Sequence, residues 1–271
     1  MNDDDFKKLL NSTAIASPSF IASVESECYI PVEDKKTYLP RLNIGSGPNV
    51  FPFEGWINYD REDISNYLKY LDWQDEAKTL FYVLHEMPEH QQVLSTFIRS
   101  KGMVDFRVHD IRNGFSHHAD NSIESIYIGQ VIEHLNPIHE VPKLLKDCHR
   151  MLKPGGVIRM TTPDLDLLIK AYLNDDMDKF AIEQPEFYRN ADPGSQLAMI
   201  MYGACGKGCT WTNYDGHMFL FTKKSMTAVL SAAGFKDVEF YYETGKSKDD
   251  IMSKQVVDFG LTHSFVVEAI K

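Results

Sequence analysis

The chain has little of what would place it outside the cell, across a membrane or on a nucleic acid. Of 271 residues four are cysteines, Cys28, Cys148, Cys205 and Cys209. So few, and so scattered, they exclude a disulfide framework and read as a reducing compartment. Cys205 and Cys209 form a single CxxxC with no second pair, which reads as two small residues in a glycine-rich loop rather than a zinc site. No run approaches the ~20 apolar residues that a bilayer-crossing helix needs, and the opening MNDDDFKKLL is acidic with no apolar signal core. A soluble, cytoplasmic protein with no membrane partner is expected. Positive charge is also short: 28 Lys and Arg stand against 39 Asp and Glu, a net charge of −11. Phosphate backbones are held by concentrated Lys and Arg, so no nucleic-acid partner is expected. The remaining composition, 43% apolar and 25% charged, is that of an ordinary globular chain long enough to bury a core unaided.

Residues 41–60, RLNIGSGPNVFPFEGWINYD, organise the rest. A short apolar run breaks at Gly45-Ser46-Gly47, and a second short run, Trp56 to Tyr59, ends on Asp60. Strand, glycine turn, strand and acid is how a doubly wound α/β sheet opens a nucleotide site: glycines admit a ligand to the backbone and the acid takes ribose hydroxyls. Residues 1–40 carry no strong motif. They form an extension that either folds over the ligand as a lid or packs on a sheet edge.

Residues 64–101 show apolar positions at mixed threes and fours and read as two helices divided at Pro88. Val104 to Val108 alternates as a strand ending at His109-Asp110, a second acid at a strand end. His117-His118 reads as a solvated pair in a polar loop. Ile123 to Ile128 is a buried strand with Gly129-Gln130 at its carboxyl end. Pro137 fits the first turn of a helix with an apolar face of Val141, Leu144, Leu145 and Cys148. That helix stops at LKPGG, with Lys153 in its last turn, and Val157 to Met160 is the next strand. Residues 165–222 do not alternate like strands and read as an insertion on the substrate side. It comprises a helix around Leu167 to Tyr172, a short helix from Leu197 to Tyr202, and a polar, aromatic loop with Trp211, Tyr214, Asp215 and His217. A helix starting at Thr222 or Lys223 closes at Gly234. Val238 to Tyr242 and His263 to Ile270 read as an antiparallel pair of late strands.

Four blocks now stand in order: LNIGSG with Asp60; HDIRNGF followed by DNSIESI; QVIEHL; and RMLKPGGVIRMTTPD with the later HMFLFTKKSMTAVLSAAGF. Together they resemble the class I S-adenosylmethionine-dependent methyltransferases, in a type-11-like branch, over residues 41–270. The resemblance implies a doubly wound, seven-stranded, mostly parallel Rossmann-like sheet with a reversed last strand, and a methyltransferase domain spanning 41–271. It implies S-adenosylmethionine as cofactor. Gly45, Ser46 and Gly47 would lie against its methionine end, with Asn43 at the strand before them. Asp60 would take the ribose, Asp110 and Ile111 the adenine, and Gln130 would sit near the sulfonium. A dinucleotide-dependent oxidoreductase is the first alternative, but the third glycine of its G-x-G-x-x-G would fall at Val50. A non-catalytic partner protein on the same fold is the second, and the intact acids weigh against it.

Methyl transfer to a hydroxyl needs a base, or a metal that lowers the acceptor's pKa. His217 is the first candidate as base or substrate contact, with His134 beside it; Asp164, Trp211 and Tyr214 are assigned to the substrate, and Tyr172 and Tyr202 to the pocket wall. Glu133 and His134, with His139 or His217, could be read as metal ligands. Because Gln130 stands where a further carboxylate would be wanted, they are read as hydrogen-bonding and capping groups and no metal is assigned. The expected acceptor is a small molecule or a glycan-like compound, methylated on oxygen.

Overall fold

The computed structural model describes residues 38–47, 51, 53–61, 105–183, 192–202, 216–256, 258 and 261–271. The readings of residues 1–37 and 64–101, and of Trp211 and Tyr214, lie outside them.

Seven strands form one sheet: β1 (Arg41–Ile44), β2 (Trp56–Asp60), β3 (Asp105–Val108), β4 (Ile123–Gly129), β5 (Leu152–Pro163), β6 (Lys236–Tyr241) and β7 (Ser264–Ile270). Their order is β3-β2-β1-β4-β5-β7-β6. The pairs from β3 through β5 are parallel, while β7 runs antiparallel to both β5 and β6. The doubly wound sheet and the reversed last strand are as expected.

Two-residue periodicity decides what each face of the sheet carries. Ile158, Met160, Phe265, Val267 and Ala269 lie in the main core with Leu42, Ile44, Ile126 and Ile128. Helix α1 (Glu140–Met151) buries Val141, Leu144, Leu145, Cys148 and Met151 against that face. Helix α4 (Lys223–Ala232) adds Met226 and Leu230. Each such side chain contributes ~1.5–3 kcal/mol of apolar burial. The alternate residues look the other way, where Tyr127 joins Phe51, Trp56 and, from the short α5 (Asp250–Gln255), Met252. Arg159 and Glu268 share this second parity and are register partners across β5 and β7. The Arg159 guanidinium donates to Asp258 at 2.5 and 2.9 Å and to Glu268 at 2.7 Å, with all three side chains at 2% exposure or less. This triad ties the segment after β6 to the sheet.

Helices α2 (Leu165–Leu173) and α3 (Pro193–Met201) come from the predicted insertion. With Met177, Phe180 and Leu220 they bury Leu168, Ala171 and Leu197 in a small cluster of their own.

Local chemistry corrects some boundaries. The helix expected to begin at Pro137 begins at Glu140 instead. The Asn136 side chain accepts from the Ile138 and His139 amides, and Glu140 returns a carboxylate to the Asn136 amide, so Pro137 sits in the turn before the helix. That helix ends at Met151, and Lys153 lies in β5 paired with Glu124 rather than in a last helical turn. Thr222 and Ser225 make the reciprocal cap that starts α4. Between β6 and β7 the charged connection contains α5, capped by Asp249.

Candidate active site

The sheet reverses its winding between β1 and β4, and a crevice opens there at the carboxyl ends of the parallel strands, as sheet topology requires. Gly45, Gly47, Asp60, Arg61, Asp110, Ile111, Arg112, Gln130, Val131, His134 and Leu135 line it. Six of the eight residues assigned to the cofactor therefore meet in one cleft.

Backbone contacts hold the glycine turn in place. The Gly45 and Ser46 amides donate to the Tyr59 carbonyl at 2.8 and 3.0 Å, and the Gly47 amide to an Asp60 carboxylate oxygen at 2.8 Å. Gly45 has φ +68°, and a Cβ there would stand 2.4 Å from a Val131 methyl. Gly47, at φ +50°, has no heavy atom of the described residues within 4 Å of where its Cβ would lie. The turn thus presses on the β4 side. Asp110 accepts from the Arg112 amide and is gripped by the Arg112 guanidinium at 2.6–3.1 Å. The bonds from Arg112 hold its carboxyl below the usual carboxylate range. The cleft thus carries an Asp–Arg pair just past β3, where the resemblance led to the expectation of Asp110 alone. Gln130 holds φ +54°, a rare conformation for a side-chain-bearing residue, and donates to Ser264 Oγ at 3.0 Å. Strain of this kind persists where surrounding structure imposes it, and it clusters at functional sites.

Asn43 and Ser46 do not line the cleft. Asn43 is buried and donates to Asn58, whose side chain also binds the Phe51 backbone on both sides. Its parity, opposite to Leu42 and Ile44, turns it toward that bracket. The buried Ser46 donates to the Gly47 carbonyl.

Beyond the cleft, Glu133, His134 and His217 form a second group. A 3-10 turn, Ile132–His134, follows β4 and places Glu133 inward with no exposure. Thr162, on β5, donates to Glu133 Oε2 at 3.1 Å. The Met218 and Phe219 amides donate to the Glu133 carbonyl at 2.8 and 3.2 Å, which docks the preceding His217 against His134 with ring centroids 4.9 Å apart. Burial first, and the charge of His134 second, push His217 down to about 4, so its imidazole is neutral at pH 7. Among the described residues its buried Nδ1 has no hydrogen-bond partner, and the ring lies against the backbone of Ile200 and Met201.

Other assigned residues lie elsewhere. Asp164 is a buried cap: Oδ1 accepts from the Asp166 and Leu167 amides at the start of α2, and Oδ2 from the Tyr242 hydroxyl at 2.7 Å. Tyr172 and Tyr202 are surface residues, 42% and 74% exposed, away from the cleft. His117 is exposed and His118 half-buried, and both rings meet the Tyr59 hydroxyl, at 3.1 and 2.9 Å. Arg61, Arg112, Val131, Leu135 and Thr162 were missed. The first four flank a strand-end acid or follow Gln130, and that adjacency was the available signal.

Fold and cleft define an α/β protein with a crevice at the switch point of its sheet, where sheets of this kind take their ligands. Residues 70–160 match the family described as "Methyltransferase domain", type 11. With the reversed last strand, this match supports a class I S-adenosylmethionine-dependent methyltransferase. No curated protein matches the sequence. Solved structures similar to it include SAM-dependent methyltransferases from three organisms. The one from Archaeoglobus fulgidus is 14% identical over 98% of this chain and 99% of that one, with TM-score 0.44. Another, from Thermotoga maritima, is 11% identical over 93% and 89%, with TM-score 0.42. The third, from Mesorhizobium loti, is 12% identical over 97% and 100%, with TM-score 0.42. Among the described residues no helix is long and apolar enough to cross a membrane.

Proposed function

We propose that the protein transfers a methyl group to an oxygen of a small-molecule or sugar-like acceptor. The observation that carries this reading is the Glu133–His134–His217 group, because its member His134 also lines the cofactor cleft. Asp60 would accept from the ribose hydroxyls, Asp110 and Ile111 would hold the adenine, and Gly45 and Gly47 would admit the methionine end, with Gln130 beside them. Bound there, S-adenosylmethionine supplies an electrophilic methyl on a cationic sulfur. The protein's own work is to aim the acceptor oxygen along the carbon–sulfur axis and to exclude water. A hydroxyl acceptor must also lose a proton, and this reading assigns His134 and His217 to take it. An amine acceptor needs no such group once neutral, which is why the pair favours oxygen. The scarcity of basic residues favours a neutral acceptor over nucleic acid, and the scarcity of cysteine agrees with a cytoplasmic setting. We read 165–222 as the acceptor-side cap of the 41–271 domain, and residues 1–40 as an extension with a possible role as lid.

Labelled cofactor offered with matched hydroxyl and amine acceptors tests the reading. Label should pass to a hydroxyl compound, and His217→Ala should slow it at least tenfold while S-adenosylhomocysteine still binds. Transfer confined to the amines would refute the oxygen assignment. NAD binding in place of S-adenosylhomocysteine would refute methyl transfer itself.

A further inference from the structure

We infer that Arg112 competes with the adenine amino group for Asp110, and so sets how strongly the cleft selects adenine over a 6-oxo purine. This deepens, and rests on, the reading that Asp110 holds the adenine. A carboxylate offers about four acceptor positions on its two oxygens. Arg112 fills them. Its amide donates to Oδ1 at 3.0 Å, its Nε to Oδ1 at 2.9 Å and to Oδ2 at 3.1 Å, and its Nη2 to Oδ2 at 2.6 Å. A base amino group therefore reaches Asp110 only by replacing a bond from the guanidinium. Both residues line the cleft, so the exchange falls where the ligand would arrive.

Only a side chain has to move. Asp110 caps the 3-10 turn Ile111–Asn113 through the Arg112 amide. Lys143 Nζ, from α1, donates to the Arg112 carbonyl at 2.6 Å, and the Gly114 amide closes the turn on the Ile111 carbonyl at 3.0 Å. These bonds hold the backbone of 110–114 whether or not the guanidinium grips the carboxylate. The grip itself is an open one, with the Arg112 side chain 44% and the Asp110 side chain 31% exposed. Ion pairs this open to water contribute little net stability, so the exchange costs little.

The exchange separates one base from another. The 6-amino group of adenine is a donor and can stand where the guanidinium stood. The 6-oxo group of hypoxanthine is an acceptor: it is repelled by a bare carboxylate, yet it can accept from a guanidinium left in place. Arg112 thus opposes adenine and shelters a 6-oxo base. The selectivity that Asp110 alone would give is lowered by its neighbour two residues on, because specificity is a difference between two affinities.

The test is calorimetry on the full chain with S-adenosylhomocysteine and its deaminated analogue, S-inosylhomocysteine. Arg112→Met should bind the first about twofold to fivefold more tightly. It should bind the second more weakly, so the ratio of the two affinities rises roughly tenfold over wild type. Arg112→Lys, which keeps the charge without the planar fork, should fall between the two. In Asp110→Asn the amide offers both a donor and an acceptor, so the ratio should fall toward one, and adding Arg112→Met should not restore it. A merely structural role for Arg112 would shift both ligands alike. That outcome, or weaker binding of S-adenosylhomocysteine by Arg112→Met, overturns the inference and leaves the cofactor reading standing. If neither wild type nor any variant binds either ligand, the cofactor reading itself falls and takes the inference with it.

Discussion

Replacing Gly45 with alanine should damage the cleft by two separable routes. The first is the backbone. At φ +68° a Cβ meets its own carbonyl, at a cost of about 1–2 kcal/mol. The second is steric. The added carbon would lie 2.4 Å from one Val131 methyl, 3.0 Å from the other and 3.3 Å from Val131 Cβ. Rotating a valine about χ1 exchanges its methyls without clearing a neighbour this close to both, and β-branching leaves it few rotamers. Val131 must therefore move as a unit, and overpacking of this kind costs about 1–3 kcal/mol. Gly45→Ala should lose about 2–5 kcal/mol in total in urea unfolding. Because Val131 lines the cleft and follows Gln130, S-adenosylhomocysteine should also bind at least tenfold more weakly by calorimetry. Val131→Ala removes both offending methyls. Added to Gly45→Ala it should recover the steric part, a coupling of about 1–3 kcal/mol, and leave the backbone part in place. If the two substitutions add without coupling, or if Gly45→Ala binds the cofactor product like wild type, the close packing of the turn on β4 is not what shapes the site.

Three further predictions follow from particular residues. Asp60→Asn should weaken S-adenosylhomocysteine by at least tenfold, since the carboxylate both holds the Gly47 amide and faces the cleft; unchanged affinity would remove it from the site. Arg159→Met should destabilise the fold by about 3–5 kcal/mol in urea, because Asp258 and Glu268 would stay buried without their cation; a loss below 1 kcal/mol would show that the triad relaxes into solvent. His118 and His263 are both pushed down to about 4 by burial. Folding therefore refuses protons that the unfolded chain accepts, so this stability is complete above about pH 6.5 and is lost as pH falls toward 4. Midpoints in urea should decline across that window, and His118→Gln should flatten the slope by up to one proton. An unchanged slope would contradict the buried, neutral ring.

Strand ends were legible because they combine an apolar run, a breaker and an acid within a few residues. Asp60 and Asp110 were therefore placed at strand ends from spacing, and the resemblance then assigned Asp110 to the cofactor. Direction was harder. Asn43 and Ser46 lie in the correct stretch yet serve the bracket beneath the turn, and only the alternation of Leu42 and Ile44 hints at it. Asp164 follows a strand much as Asp60 ends one, but a nine-residue helix follows it, and its carboxylate caps the Asp166 and Leu167 amides. The contact of His117 and His118 with Tyr59 was not legible because that partner is some 58 residues away in sequence. The charge beside Asp110 shows the same limit: the sequence places Arg112 two residues after Asp110, and the fold turns that neighbour into its ion partner.

The position of β7 has a consequence for how the chain is made. It is the last of the seven strands in sequence, yet it lies between β5 and β6. Until it arrives, β5 and β6 cannot complete the sheet, and both present unpaired backbone on facing edges. A nascent or cleaved chain lacking residues 264–270 therefore holds an open slot the width of one strand, with Arg159 on its wall and no Glu268 to meet it. Such an edge is a template for any extended segment, including β7 from another copy. The architecture thus makes the interval before β7 docks the vulnerable phase of synthesis, and a strand exchange there the natural misassembly.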